Sequence, residues 1–211
     1  MTSPGTSKRN DIMDDNSDER TNTPAGPLGA VIRLHDTFFS GLQAALAGWF
    51  TGLAARVVFA SVLLLYYLNS SWGKFSDGVF GFLSPSSGAY VSILPKVMEA
   101  NGYDENALAW PYDVIVYLGT WTEFVLPLLI VVGLFSRLAA LGMIFFVIVQ
   151  SYVDVTQHDL DAKSIGAMFD RMPDAIIWDQ RLLWVFVLVV IVVHGAGRLS
   201  LDHLLARPRR N

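Results

Sequence analysis

Glu123 is a carboxylate in the middle of an apolar stretch, YLGTWTEFVLPLLIVVGLFSR at 117–137. Read as a membrane helix over 112–134, that stretch is roughly 33 Å long against a hydrocarbon core of about 30 Å. An ionised acid at mid-depth costs on the order of 2.5–3.5 kcal/mol, so it must be paired, protonated or in use. Pro127, four residues on, has no N–H to offer the carbonyl of residue 123, which leaves a free acceptor beside the acid. Glu123 is therefore the candidate catalytic group, as a proton acceptor or a ligand-binding acid. The competing reading is a buried carboxylate that is merely paired or protonated.

Other side chains join it. Lys74 follows the first apolar run and reads either as a cation at the mouth of a helix bundle or as an anchor whose ammonium snorkels to the interface. Gln150, Asp154 and His158 recur at i, i+4 and i+8, a polar stripe at the far end of the third apolar run. Trp121 is deep enough to stack on a ligand ring, and His194 is placed to relay a proton or bond a carbonyl oxygen. Lys74, Trp121, Gln150, Asp154 and His194 are the candidate ligand-binding residues. If their faces turn inward, Lys74, Gln150, Asp154 and Glu123 line one pocket open to the outer side. Asp154 and His158 have a metal-ligand spacing, but with Asp159 and Asp161 nearby they read as a solvated face, so no metal site is expected. His158 and His194 fall at opposite sides of the bilayer, which excludes a haem held between them. The sequence has no cysteine, which removes disulfide exchange, thiolate chemistry and iron–sulfur ligation.

These residues need a scaffold that lives in lipid. Of 211 residues, 53% are apolar, too many for an ordinary soluble domain. Spans are predicted at about 53–71, 112–134, 138–155 and 182–196, giving an all-α integral membrane four-helix bundle. Residues 1–27 form a polar tail expected to be disordered, without the hydrophobic run of a signal peptide. Val31, Leu34, Phe38 and Leu42 recur at helical spacing, so 28–50 is expected to be an amphipathic helix on a membrane face. Arg56 and Lys74 lie five turns apart on one helix face and read as anchors at its two ends, with Arg137 as a third. Two long loops follow the first and third spans, the first with a short helix at 89–100 and the second rich in aspartate. Ser200 or Asp202 is placed to cap a small C-terminal helix before a basic end at 206–211. Ten of the 15 Lys and Arg residues fall on the side of the termini, which puts both termini in the cytoplasm. No nucleic-acid footprint is visible.

Taken in order, Arg56, Gly73-Lys74, Glu123, Gly133-Leu134-x-x-Arg137-x-x-Ala140 and Gly195-x-Gly197-x-x-Ser200-Leu201-Asp202 resemble the DoxX family of small four-helix membrane proteins, over roughly 53–205. The family's usual GPG element reads Gly195-Ala196-Gly197 here, and the loops and N-terminal extension are longer than in compact members. The resemblance implies a bacterial inner-membrane protein with a quinone-linked redox role, as in the thiosulfate:quinone oxidoreductase subunit that names the family. It implies quinone rather than haem, cluster or metal, and a redox partner protein or a homo-oligomer. The competing class is a non-catalytic scaffold or a small-solute permeability protein.

Overall fold

The computed structural model describes residues 26–206; nearly all of the predicted polar tail and all but the first residue of the basic end lie outside the described residues. The described residues fall into two units, divided between Ala45 and Leu46. In the first, a helix spans Pro27–Leu46, with proline in the first turn, where a missing N–H costs nothing. Leu28, Val31, Leu34, Phe38 and Leu42 are exposed along it, and it stops four residues short of the expected boundary.

Four helices long and apolar enough to cross a membrane build the second unit: Phe50–Trp72, Trp110–Val132, Ser136–Thr156 and Ile176–His194. The first packs against the second and fourth, and the third against the same two. Phe59, Leu63 and Tyr67, Ile130, Ala139, Ala140 and Met143, and Leu188 and Ile191 meet in the core. The outward faces are apolar too, with Leu65, Leu138, Leu183 and Phe186 exposed, as a lipid solvent requires.

In the first span the buried positions Phe59, Leu63, Tyr67 and Ser71 recur every four residues, a spacing that drifts about 40° per step around an α-helix. A π turn at Ala60–Leu64 absorbs one extra residue and keeps all four on the inner face. A second π turn, Ile176–Arg181, starts the fourth span six residues before the expected boundary. The helix expected at 89–100 is two helices, Ser87–Ile93 and Pro95–Ala100, because Pro95 bars residue 94 from helical geometry.

The turn between the second and third spans is tied to both other ends of the chain. The second span closes on Gly133 at φ 78°, a left-handed conformation that costs glycine little. Arg56 is 7% exposed and donates from Nε to the Ile130 carbonyl at 2.9 Å, from Nη1 to the Ala196 and Leu199 carbonyls at 2.8 and 2.7 Å, and from Nη2 to the Val131 carbonyl. It is thus not a snorkelling anchor. A guanidinium at the negative end of a helix dipole satisfies carbonyls that the helix itself cannot.

Asp202 completes the knot from the other side. Its carboxylate accepts from the Phe135 and Ser136 N–H groups at 2.7 and 2.9 Å and from the Ser136 hydroxyl at 2.7 Å. The third span, which has no side-chain cap of its own, is capped by a residue 66 positions further on. Ser200, one of the two residues expected to cap the small C-terminal helix, does cap it, taking the His203 N–H of Leu201–Leu205. Gly197, at φ 76°, lies so close to the first span that a Cβ there would sit 2.8 Å from the Trp49 carbonyl.

Two outcomes follow for stability in detergent. Arg56→Lys is expected to lower unfolding free energy by about 3 kcal/mol or more, because one ammonium cannot reach all four carbonyls of the two segments; an unchanged melting temperature contradicts this. Burial works against the charged form of Asp202, but its bonds to Ser136 and Phe135, with Arg56 nearby, hold its carboxyl below the usual carboxylate range. Its stabilisation is therefore complete above the unfolded aspartate value of about 3.9 and is lost as pH falls through the lower folded value. Asp202→Asn should cost about 1–3 kcal/mol at pH 7 and progressively less at acid pH, read as a pH series of melting curves.

Candidate functional site

At the opposite end of the bundle from this knot, the first, second and third spans enclose a cavity of about 480 Å³. Side chains one turn apart deliver its polar groups: Ser70 and Lys74 from the end of the first span, Glu123 from the second, and Gln150 and Asp154 from the third, with His158 beyond it. Its apolar wall includes Ile115, Leu118, Phe145 and Phe146. A mostly apolar hollow with a few converging polar groups is the usual form of a small-molecule site.

Lys74 and Glu123 form an ion pair, with side chains 13% and 2% exposed. Lys74 also donates to the Ser70 hydroxyl at 3.0 Å, so two of the ammonium's three N–H groups are placed and one remains for a ligand. The pair forms because the chain leaving the first span runs beside the middle of the second: Phe75 packs its ring 5.5 Å from Trp121 and 5.7 Å from Phe124. The ammonium of Lys74 thus turns inward onto the acid and lines the cavity, rather than anchoring at the interface. Pro127, buried on the same face as Glu123, leaves the Glu123 carbonyl without its helical donor.

Gln150 donates from Nε2 to the Tyr66 hydroxyl at 3.2 Å, while its buried Oε1 has no partner among the described residues. The hydroxyls of Tyr67 and Thr120 are likewise buried and unpartnered, and Thr120 shares the inner face of the second span with Glu123. Unmet polar atoms of this kind call for water or a ligand.

Asp154 pairs with Arg181, which also donates to the Ser151 hydroxyl at 3.0 Å. Arg181 is 4% exposed, and sequence reasoning missed it by assigning it to the loop. The available signal was Asp154 itself, a carboxylate on a membrane helix that needs a cation. His158 meets the Ser92 carbonyl at 3.0 Å through Nε2, so neither end of the Asp154/His158 pair is a bare ligand. No group of three or more acids and histidines with metal-binding geometry occurs among the described residues.

Four of the six candidate residues therefore share one cavity, and two do not. Trp121 is two positions from Glu123, about 200° around the helix, and packs between Phe75 and Phe124. It meets both rings edge-on and does not line the cavity. His194 is the last residue of the fourth span and is exposed at the knotted end, far along the helix from the cavity. No protein-family model, curated protein or solved structure matches the chain.

The ion pair sets what substitutions will do. Glu123→Gln or Lys74→Met alone leaves an uncompensated buried charge and should cost about 3–5 kcal/mol. The double variant, Lys74→Met with Glu123→Gln, should recover a coupling of about 2 kcal/mol relative to the sum, measured by denaturant unfolding in detergent micelles. Strict additivity would show that the pair carries no interaction energy.

Proposed function

We propose that the chain is the membrane subunit of a redox system and handles a quinone in the cavity beside Glu123, acting with a partner protein. The observation that carries this reading is the arrangement of donor, acceptor and proton acceptor around an apolar hollow. The free N–H of Lys74 can donate to a quinone oxygen, and the unpartnered Oε1 of Gln150 can accept from a hydroxyl of the reduced form. Glu123, paired with Lys74, is placed to take the proton of the other hydroxyl, at the oxygen that Lys74 meets, and Lys74 then steadies or releases the carboxyl as its charge changes. Oxidation of bound quinol releases two electrons and two protons, one proton to Glu123 and the other from the hydroxyl at Gln150 to water. Without cysteine, the electrons are assigned to a redox centre on the partner protein.

The resemblance to the DoxX family supports the same reading in two parts of unequal weight. Arg56, Gly133, Gly195, Gly197, Ser200 and Asp202 belong to the knot, so they speak for a fold. Lys74 and Glu123 face the cavity, so they speak for a site. The excess of Lys and Arg on the knotted side supports a cytoplasmic position for that side and for both termini, and the family resemblance supports a bacterial inner membrane. The apolar stripe of Pro27–Leu46 then lies on the membrane surface.

The test is extraction and absorbance of quinone from protein purified in mild detergent, beside the Lys74→Met/Glu123→Gln double variant. Quinone should copurify with the unaltered chain and fall by about tenfold or more in the double variant, a loss of about 1.4 kcal/mol or more in binding. Quinone in neither sample, with added quinone leaving the melting temperature unchanged, would overturn the redox reading in favour of a scaffold or permeation role.

A further inference from the structure

The cavity is closed on one side and open on another. Toward the loops it is roofed by the helix Ser87–Ile93, whose Ser92 and Ile93 line it. Ile93 lies directly over Gly119, with its Cδ1 3.1 Å from where a Cβ would stand. Three polar links hold the roof down. The Tyr90 hydroxyl donates to Asp113 at 2.9 Å, and Lys96 donates to the Thr156 carbonyl at 2.6 Å and to Asp159 at 2.9 Å. His158 holds the Ser92 carbonyl. Beneath these, Ala89, Tyr90 and Met98 are buried against Val116. Burial, followed by the bond to Asp113, pushes the Tyr90 phenol up to about 12, so it stays a donor at neutral pH.

Among the described residues of the second unit, no such cover lies between the second and third spans. Near the knot the two helices touch, with Leu126 Cδ1 3.0 Å from where a Cβ on Gly142 would stand. Farther from the knot they part. Leu118 and Phe145 line the cavity and yet are 63% and 69% exposed, with Ile115 and Val149 at 47% and 41%. Phe145 is midway along the third span, so what it is exposed to is lipid, not water.

We infer that the cavity is loaded from the bilayer through this gap, by a lipid-soluble molecule whose polar head enters while a long apolar chain stays in the membrane along Leu118 and Phe145. The inference rests on the quinone reading for the chemistry of the head, and narrows the substrate class to quinones carrying prenyl chains. About 480 Å³ accommodates a head group but not a long chain, so the chain needs an open side. The same open side dispenses with any path through the roof.

The experiment uses the full chain in liposomes and quinones of one head group with no chain, a short prenyl chain or a long one. Affinity is expressed per mole fraction in lipid and read from fluorescence of Trp184, whose ring is 5.4 Å from that of the cavity residue Tyr66. Short and long chains should bind within about tenfold of each other. Leu118→Phe, which narrows the gap without adding a tryptophan, should weaken long-chain binding at least about tenfold more than chainless binding, and equal weakening of both counts against the gap. A photoactivatable prenyl alcohol, which has no quinone head, should label the segments carrying Leu118 and Phe145. If the chainless quinone binds while the long-chain one is excluded, the cavity is closed to lipid and this inference fails with the quinone reading intact. If no quinone binds while the prenyl alcohol still labels the gap, the opening stands and the redox reading fails.

Discussion

A guanidinium buried among helix ends is the interaction on which the rest of this structure depends. Arg56 bonds carbonyls at the end of the second span and in the loop after the fourth, while Asp202 takes the first N–H groups of the third. In lipid, helix ends that lack partners are expensive, since no water is at hand to satisfy them. Here one cation and one anion close the ends of two helices with charges that suit their dipoles. Four spans are thereby fixed to one another at one end of the bundle.

The other end is left free to differ. Two helices joined by a tight turn at Gly133–Phe135 must start close together, but nothing obliges them to stay so. Gly142 lets Leu126 approach near the turn, and beyond it Ile115, Leu118, Phe145 and Val149 line a hollow. The hollow brings polar groups with it because the first, second and third spans each place one or more on the inner face. Lys74 neutralises Glu123, and Arg181 neutralises Asp154. Two ion pairs thus make an otherwise costly set of charges tolerable within an apolar bundle.

This division of labour bears on what a family resemblance means. Glycines at the turn and after the fourth span are dictated by backbone conformation and by close approach, as Gly133 and Gly197 show. Such positions would persist in any protein of this architecture, whatever its cavity held. The polar side chains that line the cavity are gathered instead at the loop end.

The sequence by itself determined the four spans, their order and the tight turn between the second and third, because hydropathy and turn chemistry are local properties written in adjacent residues. It also singled out Glu123 and the stripe Gln150, Asp154, His158, since a polar residue in an apolar run stands out without reference to its neighbours in space. What Arg56 bonds to, which cation meets Glu123, and that Arg181 belongs inside the bundle were decided only by tertiary structure. Each of these depends on residues between 27 and 143 positions apart, and a side chain's reach across a bundle has no signature in its own stretch of sequence. Trp121 and His194 fell outside the cavity for related reasons. Rotation about a helix axis separates Trp121 from Glu123, and position along a span separates His194 from both; the packing of the helices alone settles which face and which end line a site.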